Sequence, residues 1–373
     1  GFGWRIRGER ISQNSRANFG GTYTFSGRIA PVLDANNNPV IDQNGNVLTT
    51  QISSLESYRR TLLFRQMGFS NRRIRELGGG ANQFTISGGN PELDVAQYDT
   101  AFYVQNSYKI SETVAASFGV RYEYQTNISS NFNFAPRFSV AYAPGAGGQN
   151  RPKTVFRGGF GIFYERFGES LTLQSIRFNG INQQQFVVTD PAILDNIIFT
   201  PEGGGVLNVP TAQTLSAFAQ PQTTRAVSPN LRSPYTMQTA FSVERQLPFK
   251  TTFSATYINA RTRRLLRSRN VNAPVNGIRP VAPPAGNIFQ YESTGRFDQS
   301  QLVLNFRSNF LDDVSVFANY SFGKARSDSD GAGTFPADSY NLEGEYGDAA
   351  LDIRHRFVIG GSFPAPFGVR LRP

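Results

Sequence analysis

The only histidine of the chain stands in a charged run that could in principle move protons. His355 lies between Arg354 and Arg356, shortly after Asp352. Catalysis by a histidine needs a nucleophile or a metal ion within reach, and the neighbouring sequence supplies neither. This composition is typical of an ion-paired strand start, in which Asp352 neutralises an arginine. We therefore predict that the chain is not an enzyme.

A second candidate for chemistry is a series of carboxylates in the C-terminal part of the chain. Its members are Asp328, Asp330, Asp338, Glu343, Glu345, Asp348 and Asp352. Carboxylate oxygens suit Ca²⁺, but these residues lack the regular spacing of an EF-hand loop. Cysteine is absent, which excludes disulfides and thiolate metal sites. The sequence predicts no metal and no cofactor.

A third set of charged residues lies on or beside the polar faces of neighbouring predicted strands. These residues are Arg121, Glu123, Arg137, Arg157 and Glu165. They could line the path of a substrate or contact a plug inside a barrel. They could equally satisfy one another as cross-strand ion pairs. In a plugged barrel both roles are compatible.

The strands themselves are predicted from alternation with a period of two. In residues 113–125, Val, Ala, Phe, Val, Tyr and Tyr alternate with polar or small residues, which gives a strand one apolar and one polar face. Similar patterns predict strands at residues 1–11, 19–29, 101–110, 133–142, 154–164, 235–246, 251–260, 297–308, 314–324 and 355–363. Segments of about ten residues that often end in Tyr or Phe are typical of transmembrane β-strands.

From residue 101 onward, the predicted connections alternate between short and long. The long ones are residues 165–234, 261–296 and 325–354, with a shorter member at 126–132. Bacterial outer-membrane barrels have short periplasmic turns and long extracellular loops, and an up-and-down meander makes the two kinds alternate. We therefore interpret residues 165–234 as a long extracellular loop.

Residues 30–97 break the strand pattern and contain helix signals. Ser53 and Glu56 have the spacing of a capping box, and Ser70 is placed to cap a second short helix that ends near residues 78–80. We interpret residues 30–97 as a helical insertion that forms another extracellular loop.

The predicted fold is all-β, an antiparallel up-and-down transmembrane β-barrel with long extracellular loops, one of which contains short helices. No stretch is apolar for long enough to form a transmembrane helix. About eleven strands, whose edges need partners, make roughly half of a large barrel. We interpret residues 1–373 as one partial barrel domain and expect both ends to be cuts through a longer protein. The expected location is the outer membrane of a Gram-negative-type cell.

The chain is basic, with 37 lysines and arginines and a net charge of +10. The densest cluster of cations comprises Arg261, Arg263, Arg264, Arg267 and Arg269. A nucleic-acid surface is disfavoured because the arginines are scattered over strands and loops. Phosphates of lipopolysaccharide, or an anionic ligand, fit these loops at least as well. Alternatively, these arginines are solvated surface residues that bind no ligand. We predict contact with lipopolysaccharide and outer-membrane lipid, and none with nucleic acid.

Several segments resemble TonB-dependent receptors. Residues 98–109 (YDTAFYVQNSYK) are similar to the FYVQDDWK strand of that family, and residues 113–123 (TVAASFGVRYE) to its LTLNLGLRYE strand. Residues 135–138 (APRF) match the APRFG element that follows, and residues 351–368 resemble a late hairpin of the form DxRHRFV…LPFG. In this order the segments resemble the Oar-like branch, in which a carboxypeptidase-regulatory-like domain precedes the plug.

The resemblance implies a barrel of roughly 22 strands, plugged by an N-terminal domain and energised through TonB. The sequence departs from that pattern because it contains no plug, no TonB box and no regulatory-like domain, and residues 106–108 (NSY) replace the usual acidic pair and Trp. TonB would therefore act through a plug outside this sequence.

The function that the resemblance implies is TonB-energised uptake of an unidentified ligand, such as a carbohydrate, a peptide or a siderophore-like molecule. The alternative is a passive porin-like channel, or a structural, secretion or adhesion barrel without TonB coupling. Aromatic and amide residues of the 165–234 connection suit carbohydrate or peptide binding. The candidate ligand contacts there are Phe178, Asn182 and Phe186.

Overall fold

A computed structural model describes residues 1–148, 151–195, 198–199, 206–207, 222–282, 285–311, 314–364, 366–368 and 370–371. Its strands are β1 (Phe2–Asn14), β2 (Thr22–Thr24), β3 (Arg28–Pro31), β4 (Thr49–Ile52), β5 (Gln83–Gly89), β6 (Glu92–Lys109), β7 (Val114–Gln125), β8 (Asn133–Tyr142), β9 (Thr154–Tyr164), β10 (Gln183–Val188), β11 (Ile198–Phe199), β12 (Val206–Leu207), β13 (Gln222–Val227), β14 (Tyr235–Leu247), β15 (Thr251–Asn270), β16 (Ala285–Leu311), β17 (Val314–Ser327), β18 (Gly347–Asp348), β19 (His355–Pro364) and β20 (Arg370–Leu371). Its helices are α1 (Ser54–Gln66), α2 (Asn71–Glu76), α3 (Glu169–Arg177) and α4 (Pro191–Leu194), with 3-10 turns at Glu343–Glu345 and Pro366–Gly368.

The long strands form one antiparallel meander, in the order β1, β6, β7, β8, β9, β14, β15, β16, β17 and β19. Short turns join them at one end and long connections at the other, which confirms the predicted alternation. The predicted connection at residues 261–296 is wrong in its extent, because β15 continues to Asn270 and β16 begins at Ala285. The 15–91 connection lies at the long-connection end, so β1 runs toward that end. Within the described residues the sheet does not close, since β1 pairs only with β6 and β20 only with β19.

The register aligns apolar side chains across the meander. Phe118 on β7 lies opposite Phe138 on β8, which lies opposite Phe160 on β9. All three are well exposed, so the sheet does not bury this face against another protein layer. A continuous exposed apolar face of this kind meets lipid in an outer-membrane barrel, while the polar face lines the lumen.

Two strands are much longer than a membrane requires. β15 has 20 residues and β16 has 27, whereas a transmembrane strand needs about ten. In β15 the excess of roughly ten residues corresponds to about 33 Å of extended strand, and in β16 the excess is larger, so this hairpin extends beyond the other wall strands. At that height β16 pairs in parallel with β13, and the sheet continues through β10 and β5 to β2. We call this extension, with its helices, the cap.

The cap has apolar cores of its own. One core joins Phe84 and Ile86 of β5 to Phe186 and Val188 of β10, with Leu194 of α4 completing it. A separate core at the base of the cap contains Phe167, Leu231 and Tyr291. Residues from several distant connections are therefore packed together rather than extended separately into solvent.

The predicted barrel strand at residues 19–29 is wrong. The structure has two short strands there, β2 and β3, and both belong to the 15–91 connection. β2 pairs with β5, and β3 pairs with β4 in a separate two-stranded sheet. Alternation alone cannot distinguish a wall strand from a cap strand, because each has one buried and one exposed face.

The two helices predicted from capping signals are confirmed. The hydroxyl of Ser53 accepts a hydrogen bond from the Glu56 backbone N–H at 3.1 Å, and Ser70 caps α2 in the same way. The face that α1 buries was not predicted: Arg60 and Phe64 point inward, while Leu55 is largely exposed. Among the described residues, every helix is too short or too polar to span a bilayer.

Internal hydrogen bonds explain how α1 buries an arginine. The Arg60 guanidinium donates to the backbone carbonyls of Pro31 (2.8 Å) and Leu77 (2.9 Å) and pairs with Glu56 at 2.8 Å. Because its donors are satisfied inside the cap, burial does not leave an uncompensated charge.

Candidate functional site

Charged side chains of β1, β6 and β7 meet on the polar face, close to the long-connection end. Arg7 lies opposite Asp99, and Asp99 lies opposite Gln125. Glu123 is two residues from Gln125 on the same strand, so its side chain projects to the same face. The Arg121 Nε lies 2.7 Å from a carboxylate oxygen of Glu123. The polar face therefore carries a dense group of both charges at this height.

Arg166, which follows β9, ties the next connection to this group. Its guanidinium contacts Asp99 at 2.5 Å, Glu9 of β1 at 2.7 Å and Glu169 of α3 at 3.1 Å. The hydrogen bond to Glu9, reinforced by the charge of Asp99, raises the pKa of the Arg166 guanidinium above its ordinary value. One arginine thus links the 165–234 connection to two wall strands.

A second contact fixes the residue that follows Arg166. The side-chain carbonyl of Gln125 accepts a hydrogen bond from the Phe167 backbone N–H at 3.0 Å, and its amide donates to the Phe167 carbonyl at 3.1 Å. Phe167 itself is fully buried against Leu231 and Tyr291. Polar and apolar contacts together hold the start of this connection over the polar face.

These groups enclose a small polar cleft, with Arg5, Arg121, Glu123, Glu165 and Arg166 among its lining residues. Its volume of ≈ 90 Å³ is well below the roughly 300–1,000 Å³ of sites for drug-sized ligands. In this arrangement the cleft therefore does not hold a ligand of that size. The arrangement is that of a closed contact between a loop and the wall.

The predicted site residues divide between this cleft and other places. Arg121, Glu123 and Glu165 come together in it. Arg137 instead stacks on the ring of Phe163 at 4.6 Å, and Arg157 lies 3.4 Å from Glu244 across the neighbouring strand. For Arg157 the observed contact is the cross-strand ion pair that was one of the two interpretations.

The three candidates of the 165–234 connection lie in the cap. Phe186 is completely buried in the β5–β10 core. Asn182 donates from its side chain to the carbonyl of Ile176 at 3.0 Å, and its own carbonyl accepts from Asn90. Phe178 is half-buried at the end of α3. These contacts favour a structural role for Phe186 and Asn182.

The sequence interpretation missed four important members of the cluster, namely Arg5, Glu9, Asp99 and Arg166. A signal for two of them was available, because Arg5 and Glu9 fall on alternate positions of β1 and so share the polar face. Arg166 had no such signal, since it follows β9 and its partners are distant in sequence.

The residues considered for metal binding or catalysis, namely the C-terminal carboxylates and His355, make structural contacts with nearby groups. Asp328 pairs with the buried Arg267 at 2.7 Å, and Asp352 accepts from the Ala325 backbone N–H at 2.7 Å. Arg354 lies 3.1 Å from Asp352, as predicted, and the Nδ1 of His355 lies 2.8 Å from the Tyr320 hydroxyl. In the part of the chain that the structure describes, no group of three or more His, Asp or Glu residues could hold a metal ion.

Solved structures of outer-membrane proteins are similar to this chain. The outer membrane transporter YddB from Escherichia coli is 13% identical, with a TM-score of 0.51 over 76% of this chain and 33% of that one. The FrpB iron transporter from Neisseria meningitidis is 10% identical, with a TM-score of 0.45 over 74% and 32% of the two chains. The present chain therefore spans about a third of the length of these proteins. No curated protein matches it significantly.

The sequence profile of the outer membrane beta barrel domain matches residues 128–372, most of the chain. That match agrees with the antiparallel meander, the exposed apolar face and the alternation of short and long connections. The chain therefore belongs to the outer-membrane β-barrel domain family and is located in the outer membrane.

Proposed function

We propose that this chain forms part of the wall and the extracellular loops of a TonB-dependent transporter of the Oar-like branch. Residues 30–91 of the predicted 30–97 insertion, together with residues 165–234, act as extracellular loops, since residues 92–97 belong to β6. TonB acts through an N-terminal plug. The likeness to YddB supports the fold of such a transporter. The resemblance of residues 98–123 to TonB-dependent receptors supports the mechanism. No step of this role needs catalysis by the chain.

The observation that carries the proposal is the contact of Arg166 with Glu9 and Asp99. It holds the start of the 165–234 connection against the polar face, close to the long-connection end. In the proposed function a ligand that enters from outside passes this contact. These ion pairs are half-buried and still reached by solvent, and solvent-accessible ion pairs contribute little individually, about 1 kcal/mol or less. A ligand with carboxylate, phosphate or hydroxyl groups can therefore displace them and admit itself to the lumen. The ligand class remains carbohydrate, peptide or siderophore-like.

We call the contact of Arg166 with Glu9 and Asp99 the gate. Locking this contact in place tests its role in uptake directly. The chain has no cysteine, so an Asp99→Cys/Arg166→Cys pair in the whole protein can be joined by a reducible bis-thiol crosslinker, which spans the length of the original side chains, without competing thiols in this sequence. We expect the cross-linked double variant to lose uptake and to regain it when the linker is reduced, while each single variant treated with the same reagent stays active. Uptake by the cross-linked pair at the unmodified rate would refute the gate.

Collapse of the proton gradient separates active from passive transport. TonB coupling predicts that an uncoupler abolishes uptake by the unmodified protein. Uptake that persists in the uncoupler would establish the porin-like alternative.

A further inference from the structure

The connection between β17 and β19, residues 328–354, folds back against the tall β15–β16 hairpin. The Ser268 backbone N–H donates to the Thr334 carbonyl at 3.0 Å. The Tyr340 hydroxyl donates to the Ala273 carbonyl at 2.9 Å. A cavity of ≈ 300 Å³ lies between the connection and the hairpin, at the lower end of the range for small-molecule sites. It shares no lining residue with the cleft at Arg166, so it is separate from the gate.

A buried arginine with unsatisfied donors forms part of the cavity wall. Arg267 is only 2% exposed, and its Nη2 lies 2.7 Å from the Oδ1 of Asp328, so this pair carries no net charge. Glu292, the partner of Arg267 across the β15–β16 ladder, is already bound by Arg269 at 2.7 Å. The Nε and Nη1 of Arg267 have no hydrogen-bond partner within the described residues. Because buried donors are costly to leave unpaired, they indicate that an acceptor oxygen occupies the cavity.

Carboxylates give the rest of the cavity a negative charge. Asp348 is compensated, since Lys324 lies 3.4 Å and Arg354 3.9 Å from it. Glu345 accepts one backbone N–H but has no ion pair in the described part of the chain, and Asp330 is exposed with no partner there. Among the same residues no group of three carboxylates is placed to hold a metal ion. The cavity therefore favours an organic cation beside Asp330 and Glu345.

We propose that this cavity binds the amino terminus of a short peptide. The α-ammonium group lies between Asp330 and Glu345, and the first peptide carbonyl accepts hydrogen bonds from Arg267. A carbonyl oxygen is a pure acceptor and matches the guanidinium, which only donates. The charged partner at each end strengthens these hydrogen bonds. Phe335 and Pro336, which also line the cavity, offer an apolar surface to the first side chain.

Isothermal titration calorimetry of the whole detergent-purified protein measures this binding with four probes. They are alanylalanine amide, its N-acetylated form, ethylamine and glucosamine. Alanylalanine amide should bind most tightly. The acetylated form lacks the charge and ethylamine lacks the carbonyl, so each should bind at least about 10-fold more weakly.

A matched pair of double variants separates the cavity from general charge effects. Asp330→Asn/Glu345→Gln removes both uncompensated charges with little change in side-chain size and should weaken binding of alanylalanine amide at least ~10-fold. Asp338→Asn/Glu343→Gln removes two charges from the same connection outside the cavity and should bind normally. Bound amide should also slow hydrogen exchange of residues 327–349 in the unmodified protein and the control, but not in the cavity variant.

Four results would overturn the proposal. Absence of binding by alanylalanine amide would mean that water alone satisfies Arg267. Equal binding of the acetylated form or of ethylamine would remove one of the two recognition elements. Tighter binding of glucosamine would assign the cavity to an amino sugar, and an equal loss in the Asp338/Glu343 control would show a general charge effect. Heat-dependent gel mobility would show that each variant is folded before binding is compared.

Discussion

Replacing Phe186 by alanine should loosen the cap and leave the barrel wall intact. Phe186 is completely buried between β10 and β5, in one core with Phe84 and Ile86. Removal of a buried phenylalanine ring costs roughly 3–5 kcal/mol, through lost burial and the cavity left behind. That cost applies to the cap alone, because the core contains no residue of the meander. The population of the opened cap should therefore rise by about 10²- to 4 × 10³-fold.

Amide hydrogen exchange on the whole protein measures this opening. Peptides that cover Gln183–Val188 and Gln83–Gly89 should exchange faster in Phe186→Ala, while peptides of β7 and β8 keep their protection. Phe132→Ala is the matched control, since it removes the same ring from a side chain that is 84% exposed. Unchanged exchange of β5 and β10 in Phe186→Ala, together with lost ligand binding, would show that the residue acts on ligand and not on the core.

Further predictions concern single residues of the cap and gate. Arg166→Gln should weaken the loop–wall contact by about 1–2 kcal/mol and speed proteolysis of the 165–234 connection several-fold; an unchanged cleavage rate would contradict this. The hydrogen bond from Arg59 holds the pKa of Glu56 at about 2, below its ordinary 4.5. The stability that Glu56 gives α1 is therefore complete above pH 4.5 and lost as the pH falls toward 2. Exchange of the 54–66 peptide should follow that acid titration in the unmodified protein but not in Glu56→Gln. Gly89→Ala should disrupt the β5–β10 pairing, because φ is 112° and the added Cβ would lie 2.2 Å from the Asn182 carbonyl oxygen; unaltered exchange there would be inconsistent with this geometry.

Local patterns were sufficient to predict the wall. Alternation at residues 113–125 and 133–142 identified β7 and β8 closely, because one face meets lipid and the other does not. Capping signals at Ser53 and Ser70 identified both helices of the 15–91 connection. In each case the determining interactions lie within a few residues of one another, where sequence spacing fixes geometry.

Long-range contacts were not predictable in this way. Arg166 meets Glu9 across more than one hundred and fifty positions, and that meeting requires the start of the 165–234 connection to lie over the polar face of the wall. The inward face of α1 was also missed, since Arg60 becomes a favourable buried residue only when the carbonyls of Pro31 and Leu77 are in place. Phe186 has a composition that suits a ligand contact, and only its three-dimensional packing indicates a core role.

The parallel pairing of β13 with β16 dictates an order of assembly. Strands β5 and β10 are made early, but the sheet that joins them to the wall needs β13, which in turn pairs with residues 285–291 of β16. The cap therefore cannot complete its hydrogen-bond ladder until the β15–β16 hairpin is in position. A complete cap therefore requires that the wall has formed as far as β16. For this reason, resistance of the 15–91 connection to protease should appear late during insertion into the membrane.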